Sequence, residues 1–198
     1  MTDATPGRRD RNKAAKRATI IDAAARLFAR QGFGATTTQQ VAEEADVAEG
    51  TLFRYASTKQ ELLLMVVNEH LRPLVEKGAD APTTDAEAEI LRLLGPLISL
   101  AEGQPGNAAP YLREVLFGEG GTERAQSLAL VDQMVARIAS VLAPYTADAE
   151  MPADEAARWV FSALVSELLR GAALGVERDG QSALRARVRV LLRGLGAA

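Results

Sequence analysis

Apolar residues recur every three or four positions along almost the whole chain, which is the spacing of amphipathic helices rather than of strands. The first such stripe predicts a helix over about residues 13–31, ended by Gly32 and Gly34. Its inward face comprises Ile20, Ile21, Ala24, Leu27 and Phe28. Because alternating β-branched residues are nearly missing, the pattern predicts an all-α protein.

Three further helices are predicted before residue 78, the first two of them short. Threonines at residues 36–38 can cap a helix over residues 39–45, and a third helix begins near Ala48 and continues through Tyr55. Ser57 and Thr58 then cap a long fourth helix that reaches about residue 77. Its inward face contains Leu62, Leu63, Val66, Val67, Leu71 and Leu74.

Beyond residue 78 a polar stretch marks a loop, and glycine or proline breaks separate five more helices. These helices cover about residues 85–103, 107–118, 122–145, 153–178 and 181–195. Pro96 and Pro110 predict kinks or displaced boundaries. The whole pattern therefore predicts an all-α fold of about nine helices. We expect a cytoplasmic protein without a membrane partner, because neither a run of about 18 apolar residues nor a secretory signal is found.

Composition narrows the chemistry that the chain can perform. Among its 198 residues there is no cysteine and one histidine, His70, so thiolate and multi-histidine metal sites are excluded and no cofactor is expected. The net charge of −3 hides an asymmetry, since residues 1–60 carry ten Lys or Arg against seven Asp or Glu. The basic start is either a contact to an acidic partner such as DNA or a passive solvated tail.

The most specific pattern is residues 36–62, TTTQQVAEEADVAEGTLFRYASTKQEL. Its spacing suits two short helices packed across a tight turn, with Val41, Val47 and Leu52 between them and the small Ala42 allowing close approach. This arrangement predicts a helix-turn-helix, whose second helix enters the DNA major groove.

Over residues 16–64 the chain resembles the N-terminal domain of the TetR (tetracycline-repressor) family of bacterial transcriptional regulators. The resemblance implies a flexible basic arm at residues 1–12 and a DNA-binding domain of three helices at residues 13–58. A larger helical domain for ligand binding and dimerisation would occupy residues 59–198, with the helix from residue 59 linking the two.

The resemblance also implies which side chains meet double-stranded operator DNA. Arg54 could read a guanine, whereas Tyr55 and Lys59 would hold phosphates. The complete predicted set is Thr38, Gln39, Glu49, Gly50, Thr51, Phe53, Arg54, Tyr55 and Lys59.

Three positions depart from the family's pattern. Asp46 stands where glycine is usual, and aspartate tolerates the left-handed backbone that the turn requires. Phe53 replaces a tyrosine and so lacks one phosphate-binding hydroxyl. Ala56 replaces a phenylalanine, a loss that can cost roughly 3 kcal/mol in a rigid core.

For the C-terminal part, the resemblance implies a cavity for an unknown small-molecule effector. Its candidate wall residues, each of which could instead be ordinary core, are Met65, Ile98, Tyr111, Phe117, Met134, Trp159 and Phe161. The last two helices would form a homodimer interface, or alternatively close the protomer's own core. The candidate interface residues are Leu164, Leu168, Leu184, Val188, Leu191, Leu192 and Leu195. The arginines of the last helix are interpreted as a solvated or ion-paired face.

The sequence thus predicts a ligand-responsive DNA-binding regulator, most simply a repressor that a small molecule releases from a palindromic operator. One alternative is a DNA-binding regulator with a solid core and no inducer. The other is a helical enzyme using His70 with Glu69, which no nucleophile elbow, metal triad or nucleotide loop accompanies.

Overall fold

Each helix predicted from the apolar periodicity has a counterpart in the computed structural model, which describes residues 7–76, 85–147, 149–174 and 179–195. Within these ranges the chain forms nine α-helices and no strand, so the all-α prediction is confirmed. A turn of 3-10 helix at Ala143–Tyr145 follows the seventh helix. The helices are α1 Arg8–Ala35, α2 Thr38–Glu44, α3 Glu49–Leu52, α4 Lys59–Glu76, α5 Ala86–Gly103, α6 Pro105–Phe117, α7 Thr122–Leu142, α8 Ala153–Leu174 and α9 Gly180–Gly194.

The first helix begins earlier than predicted. Residues 8–12, which the sequence analysis assigned to a flexible arm, form the opening turns of α1. The remainder of that arm, residues 1–6, lies outside the described residues. At its other end α1 is broken at Gly32, whose φ of 76° and ψ of 168° interrupt the helical backbone where the sequence predicted the helix to end.

The third helix is shorter than predicted. It ends at Leu52 after four residues, and the chain continues to Tyr55 as tight turns in which the amides of Arg54 and Tyr55 bond carbonyls three residues back. By contrast, α5 and α6 continue through Pro96 and Pro110, where kinks or displaced boundaries were expected. The fourth helix likewise contains Pro73.

Two hydrophobic clusters fill the molecule, and α4 contributes to both. The first cluster joins α1 to α4 and includes Ile20, Leu52, Leu62, Leu63 and Met65, all almost fully buried. The second cluster joins α4 to α5 and the helices that follow it. Its largest fully buried side chains are Ile90, Leu94, Ile98, Ile138, Leu142, Leu164 and Leu184.

By length and composition, one segment of the described residues, Thr122–Tyr145, could cross a membrane, although the sequence analysis expected no such segment. In the structure this segment packs against α4 and α8. Its inward side chains Leu130, Met134, Ile138 and Leu142 belong to the second cluster. One face of α7 therefore belongs to the core of the helical domain.

Candidate DNA-binding surface, effector cavity and dimer face

The start of α2 is fixed by a reciprocal pair of hydrogen bonds. The Gln40 amide donates to Thr37 Oγ1 at 3.2 Å, and the Thr37 amide donates to Gln40 Oε1 at 2.9 Å. This capping box satisfies two backbone donors that a helix start otherwise leaves unpaired. The predicted threonine cap is therefore confirmed, with Thr37 as the capping residue.

The turn between α2 and α3 is made by Asp46, which has a φ of 51°. In this left-handed conformation the Val47 amide can donate to the Ala42 carbonyl oxygen at 3.0 Å, which ends α2. Aspartate thus performs the role for which the family's pattern uses glycine, as the sequence analysis expected. The two short helices keep their helix-turn-helix relation.

Most of the predicted DNA-contacting residues are accessible. Gln39, Glu49, Gly50, Phe53 and Arg54 are exposed, while Thr38, Thr51 and Tyr55 are half-buried. The Thr38 hydroxyl donates to Glu49 Oε1 at 3.2 Å, so the first residues of α2 and α3 are adjacent. Among the described residues, no hydrogen-bond or ion-pair partner is found for the Arg54 guanidinium, which leaves its planar donor edge open to solvent.

Lys59, which is predicted to contact a phosphate, bonds backbone carbonyl oxygens in the structure. Its ammonium donates to the carbonyl oxygens of Phe33 at 2.8 Å, Thr36 at 2.9 Å and Gly34 at 3.4 Å. The same ammonium lies 4.3 Å from the centre of the Phe33 ring, a cation–π contact. Because an ammonium has three donors, this geometry leaves none for a phosphate. The first residue of α4 therefore clamps the link between α1 and α2.

Acidic charge on α2 is neutralised by α1. Glu44 accepts a hydrogen bond from Arg26 at 2.9 Å and another from Arg30 at 3.2 Å. These two bonds lower the pKa of the Glu44 carboxyl below its ordinary value. The pairing ties α1 to α2 and reduces the repulsion that this carboxylate would exert on a nearby polyanion.

The substitution at Ala56 does not open the domain to water. Ala56 is almost fully buried in the first cluster, although its side chain is much smaller than the usual phenylalanine. Nearby in the sequence, Tyr55 packs against the same cluster, whereas Phe53 is 44% exposed. Of the two aromatic residues, Tyr55 therefore belongs partly to the core and Phe53 to the surface.

A cavity of about 70 Å³ lies where α1 meets α4, α5 and α6. Its walls include Ala25 and Phe28 of α1, Val66 of α4, and Asn107 and Tyr111 of α6. Burial raises the pKa of the Tyr111 hydroxyl to about 12, so this group is neutral near physiological pH. The cavity offers apolar walls with a few uncharged polar groups, the usual composition of a small-molecule site.

Of the seven residues predicted to line an effector cavity, only Tyr111 does so. Met65, Ile98 and Met134 are buried in the two clusters, and Phe161 is half-buried against the second. Phe117 and Trp159 are 80% and 62% exposed. Large apolar residues suit a cavity wall, but residue type does not show whether a side chain faces a cavity, the core or solvent. The wall residues Gln104 and Asn107 were missed because they fall at a predicted helix break.

Four of the seven residues predicted for the dimer interface lie inside the protomer. Leu164, Leu184, Val188 and Leu192 are buried in the protomer's own core, and Leu168, Leu191 and Leu195 are half-buried against it. Instead, Trp159 of α8 and Val190 of α9 are exposed, the latter to 71%. Both line a groove of about 610 Å³ between the two helices. The amphipathic stripe of α9 closes the protomer, which was the alternative considered from the sequence.

The arginines of α9 form ion pairs with neighbouring helices, as the sequence interpretation allowed. Arg189 donates two hydrogen bonds to Glu87 of α5, at 2.8 and 2.7 Å. This pairing lowers the pKa of the Glu87 carboxyl. Arg187 of α9 lies 2.5 Å from the nearly buried carboxylate of Glu167 on α8. The charged face of α9 therefore holds α5 and α8 in place.

Comparison with known proteins identifies the N-terminal part. Residues 20–66 match the model of the bacterial regulatory proteins of the tetR family. This range contains the capped α2, the Asp46 turn and α3, and the whole fold matches solved regulators of the same family. Residues 20–66 therefore belong to the tetR family of bacterial regulatory proteins.

Two curated relatives and one solved structure show how far the similarity extends along the chain. It is 43% identical over 51 residues to the regulator YvkB of Bacillus subtilis, an alignment covering 26% of this chain and 27% of YvkB. It is 27% identical over 142 residues to the transcriptional repressor KstR of Rhodococcus jostii, covering 72% of this chain and 65% of KstR. The chain thus spans less than two thirds of the length of these relatives.

The solved structure is FadR of Thermus thermophilus, a TetR-family repressor in complex with lauroyl-CoA. It is 25% identical to this chain, with a TM-score of 0.62, and the match covers 90% of this chain and 94% of that one. The likeness therefore extends through the C-terminal helices, beyond the segment that the family model matches.

Proposed function

We propose that this TetR protein is a dimeric transcriptional regulator that binds operator DNA and responds to a small molecule, most simply as a repressor. The observation that carries the proposal is the α2–turn–α3 unit inside the family-matched segment. Both ends of α2 are fixed by hydrogen bonds, and α3 leaves Arg54 exposed beside it. This is the arrangement by which a helix-turn-helix presents its second helix to a major groove. The name of KstR as a repressor supports the choice of repression.

Within this unit we assign direct base reading to Arg54, whose guanidinium can donate two hydrogen bonds to guanine. Thr38, Gln39, Glu49, Gly50, Thr51, Phe53 and Tyr55 complete the proposed contact surface. Lys59 is removed from that surface, because its ammonium is occupied by backbone carbonyl oxygens.

We infer a homodimer from the apolar side chains that α8 and α9 expose to solvent. Trp159 and Val190 are large apolar side chains exposed to solvent, and small residues separate them in the groove, among them Ala163, Ser166 and Ala186. Burying such a face against a second copy would remove apolar area from water and bring two recognition helices onto one palindromic site. We therefore propose this face, rather than the leucine stripe, as the interface.

A ligand-responsive regulator is favoured over one with a solid core because a cavity lies beside α1. The acyl-CoA complex of the FadR relative supports a small-molecule effector without identifying it. An enzyme is disfavoured by the placement of His70. This residue lines the cavity, but the carboxylate of the adjacent Glu69 pairs with Arg17 at 3.5 Å. We propose a cytoplasmic regulator without catalytic activity.

The proposed DNA binding is tested by selecting bound fragments from the source genome and from random duplexes with the full chain. The expected result is an enriched palindrome whose half-sites are about one helical turn or a multiple apart. Arg54→Ala is expected to weaken binding, whereas the matched control Arg113→Ala, an exposed arginine on α6, retains it. If no sequence is enriched, or if both variants behave alike, the proposed function is wrong.

A further inference from the structure

The cavity does not lie within the C-terminal helices alone, since α1 of the DNA-binding domain forms part of its wall. Ala25 and Phe28 of this helix face α6 residues Asn107 and Tyr111 across the cavity. Beyond Phe28, α1 reaches its break at Gly32 and then leads into α2. An occupant would therefore touch the segment that positions the helix-turn-helix, without an intervening element.

Asn107 bridges the break in α1. Because Gly32 leaves the helical path, backbone groups on either side lose their regular partners. The Phe33 amide donates to Asn107 Oδ1 at 2.7 Å, and Asn107 Nδ2 donates to the Phe28 carbonyl oxygen at 3.1 Å. Asn107 is almost fully buried, and its Nδ2 also donates to Gln104 Oε1 at 2.7 Å. One α6 side chain thus lines the cavity and completes α1.

The first residue of α4 also bonds the segment after the break. Lys59 donates to the carbonyl oxygens of Phe33 and Gly34, while Asn107 holds the Phe33 amide. The link between α1 and α2 therefore has hydrogen bonds both to α4, through Lys59, and to α6, through Asn107. Of these two residues, Asn107 lines the cavity, and a change there leaves the Phe33 amide without its acceptor.

The walls of the cavity indicate the chemistry of an occupant. No Asp, Glu, Lys or Arg is among the described lining residues, whose polar members are His70, Gln104, Asn107 and Tyr111. A charged group in the interior would lose its hydration without an opposite charge, which is costly. An apolar body would be stabilised by the apolar walls, and one polar group could bond an amide or the Tyr111 hydroxyl.

We propose that this cavity binds an uncharged, mainly apolar small molecule or moiety, and that Asn107 is the positioning residue that reports its presence to the helix-turn-helix. The proposal rests on the proposed function and adds the ligand class and the coupling contact. An occupant larger than the present 70 Å³ moves α6 away from α1 or takes over the Asn107 amide. The Phe33 amide then loses its acceptor, and states with a displaced helix-turn-helix gain population.

The first experiment measures ligand class and needs no DNA. The full chain is titrated with 1-butanol, and with butyrate as the charged probe of similar size, while backbone and side-chain amide resonances are followed. The expected result is that butanol shifts the resonances of Asn107 and Phe33, and that butyrate does not. Filling the cavity by Ala108→Leu removes the response. Equal shifts with both probes, or shifts confined to other surfaces, overturn the ligand class.

The second experiment measures the coupling through hydrogen exchange of the Phe33 amide in the full chain. Ala108→Leu on α6 and Ala101→Leu on α5 imitate an occupant from two helices. Each is expected to speed exchange at Phe33 by about tenfold, as is Asn107→Leu, which removes the acceptor. Arg113→Leu is the matched control, because it introduces the same side chain on α6 at an exposed position outside the cavity wall. Unchanged exchange in the filled variants overturns the coupling.

Operator affinity then separates this proposal from the proposed function. Asn107→Leu and both filled variants are expected to bind the selected operator about tenfold more weakly, with Arg113→Leu unchanged. Wild-type affinity in Asn107→Leu, alongside weakened binding by Arg54→Ala, overturns the coupling and leaves the DNA-binding function intact. If the unmodified chain selects no DNA, the proposed function fails, while the exchange measurement still decides the coupling.

Discussion

The two hydrophobic clusters share α4, yet the elements around them are held in different ways. The first cluster organises α2 and α3, helices of seven and four residues that are too short to be stable alone. Polar contacts define their positions: the Thr37 box, the Asp46 turn and the Lys59 clamp. The second cluster joins helices of 13 to 22 residues through broad apolar faces.

The outer surfaces of the two regions also differ, in the number of large apolar side chains that they expose. Around the first cluster the exposed large apolar residues are few, with Phe53 at 44%, and cationic side chains line the start of α1. Around the second cluster Phe117, Trp159 and Val190 are all more than half exposed. The first region is suited to a polyanion and the second to apolar partners. The comparison explains why a single chain of net charge −3 can carry a DNA-binding face.

The largest effect on operator affinity is expected from substitutions in the exposed apolar face of the second region, which contains Trp159 and Val190. Trp159→Glu combined with Val190→Glu should convert the proposed dimer to a monomer, because two carboxylates would have to be buried at the interface. Operator affinity should fall by roughly 100-fold or more, since a monomer holds one half-site only. Light scattering after size exclusion, together with a mobility-shift titration, measures both effects.

Phe117→Glu is the control for this interface, since Phe117 is more exposed than Trp159 but lies at the end of α6. It should leave the dimer intact. Dissociation of the control, or a double variant that remains dimeric, would show that the interface has been assigned to the wrong face.

Matched truncations in the two clusters should separate stability from DNA binding. Leu52→Ala and Leu94→Ala each remove a side chain that is fully buried, and each should lower the free energy of unfolding by about 3 kcal/mol. Only Leu52→Ala should weaken operator binding in conditions where both variants stay folded, because Leu52 supports α3. Urea unfolding and mobility shift test this. Equal loss of DNA affinity would mean that the two clusters are not functionally distinct.

Within the first region, a smaller difference is expected between Arg54, the proposed DNA contact, and Lys59, which bonds backbone carbonyl oxygens. Arg54→Ala should cost about 1–3 kcal/mol of operator binding and relax the preference for guanine at the contacted position. Lys59→Met should lower the free energy of unfolding by about 1–3 kcal/mol, because the partly buried carbonyl oxygens of Phe33 and Thr36 lose their donor. The slope of affinity against salt should be unchanged by Lys59→Met. A reduced slope would restore Lys59 as a phosphate contact.

The smallest expected effect is the titration of Tyr111. Burial raises the pKa of this hydroxyl to about 12, so the folded chain favours the neutral ring. The resulting stabilisation is present below about pH 10, where the unfolded residue is also neutral, and is lost as the pH rises towards 12. Absorbance titration should show one late tyrosine ionisation that Tyr111→Phe removes. Its persistence in that variant would assign the late ionisation to another tyrosine.

Local interactions explain why much of the first region could be predicted from the sequence. The cap at Thr37, the left-handed residue at Asp46 and the end of the first helix at Gly32 depend on residues within a few positions of one another. Such preferences are visible in the sequence itself. Even there, the bonds of Lys59 to the backbone were missed, because its carbonyl partners lie 23 to 26 residues away.

The second region was predicted less well for the same physical reason. The leucine stripe of α9 was correctly recognised as a buried face, but amphipathicity does not show whether the protomer or a second copy covers it. The Glu123 carboxylate illustrates a contact that the sequence analysis missed. It accepts hydrogen bonds from Arg17, 106 residues earlier, and from the buried Asn68 on α4. A lone asparagine among apolar positions was the signal available for this contact.

By itself, the sequence determined the helices, the capped helix-turn-helix and the likeness to TetR proteins, because periodicity, caps and turns are local properties of the chain. The tertiary structure alone decided that Trp159 faces solvent, that the Lys59 ammonium bonds backbone carbonyl oxygens, and that Asn107 both lines the cavity and bonds the Phe33 amide beside the break in α1. These outcomes depend on how helices distant in the chain pack together, and neither residue type nor spacing specifies that packing.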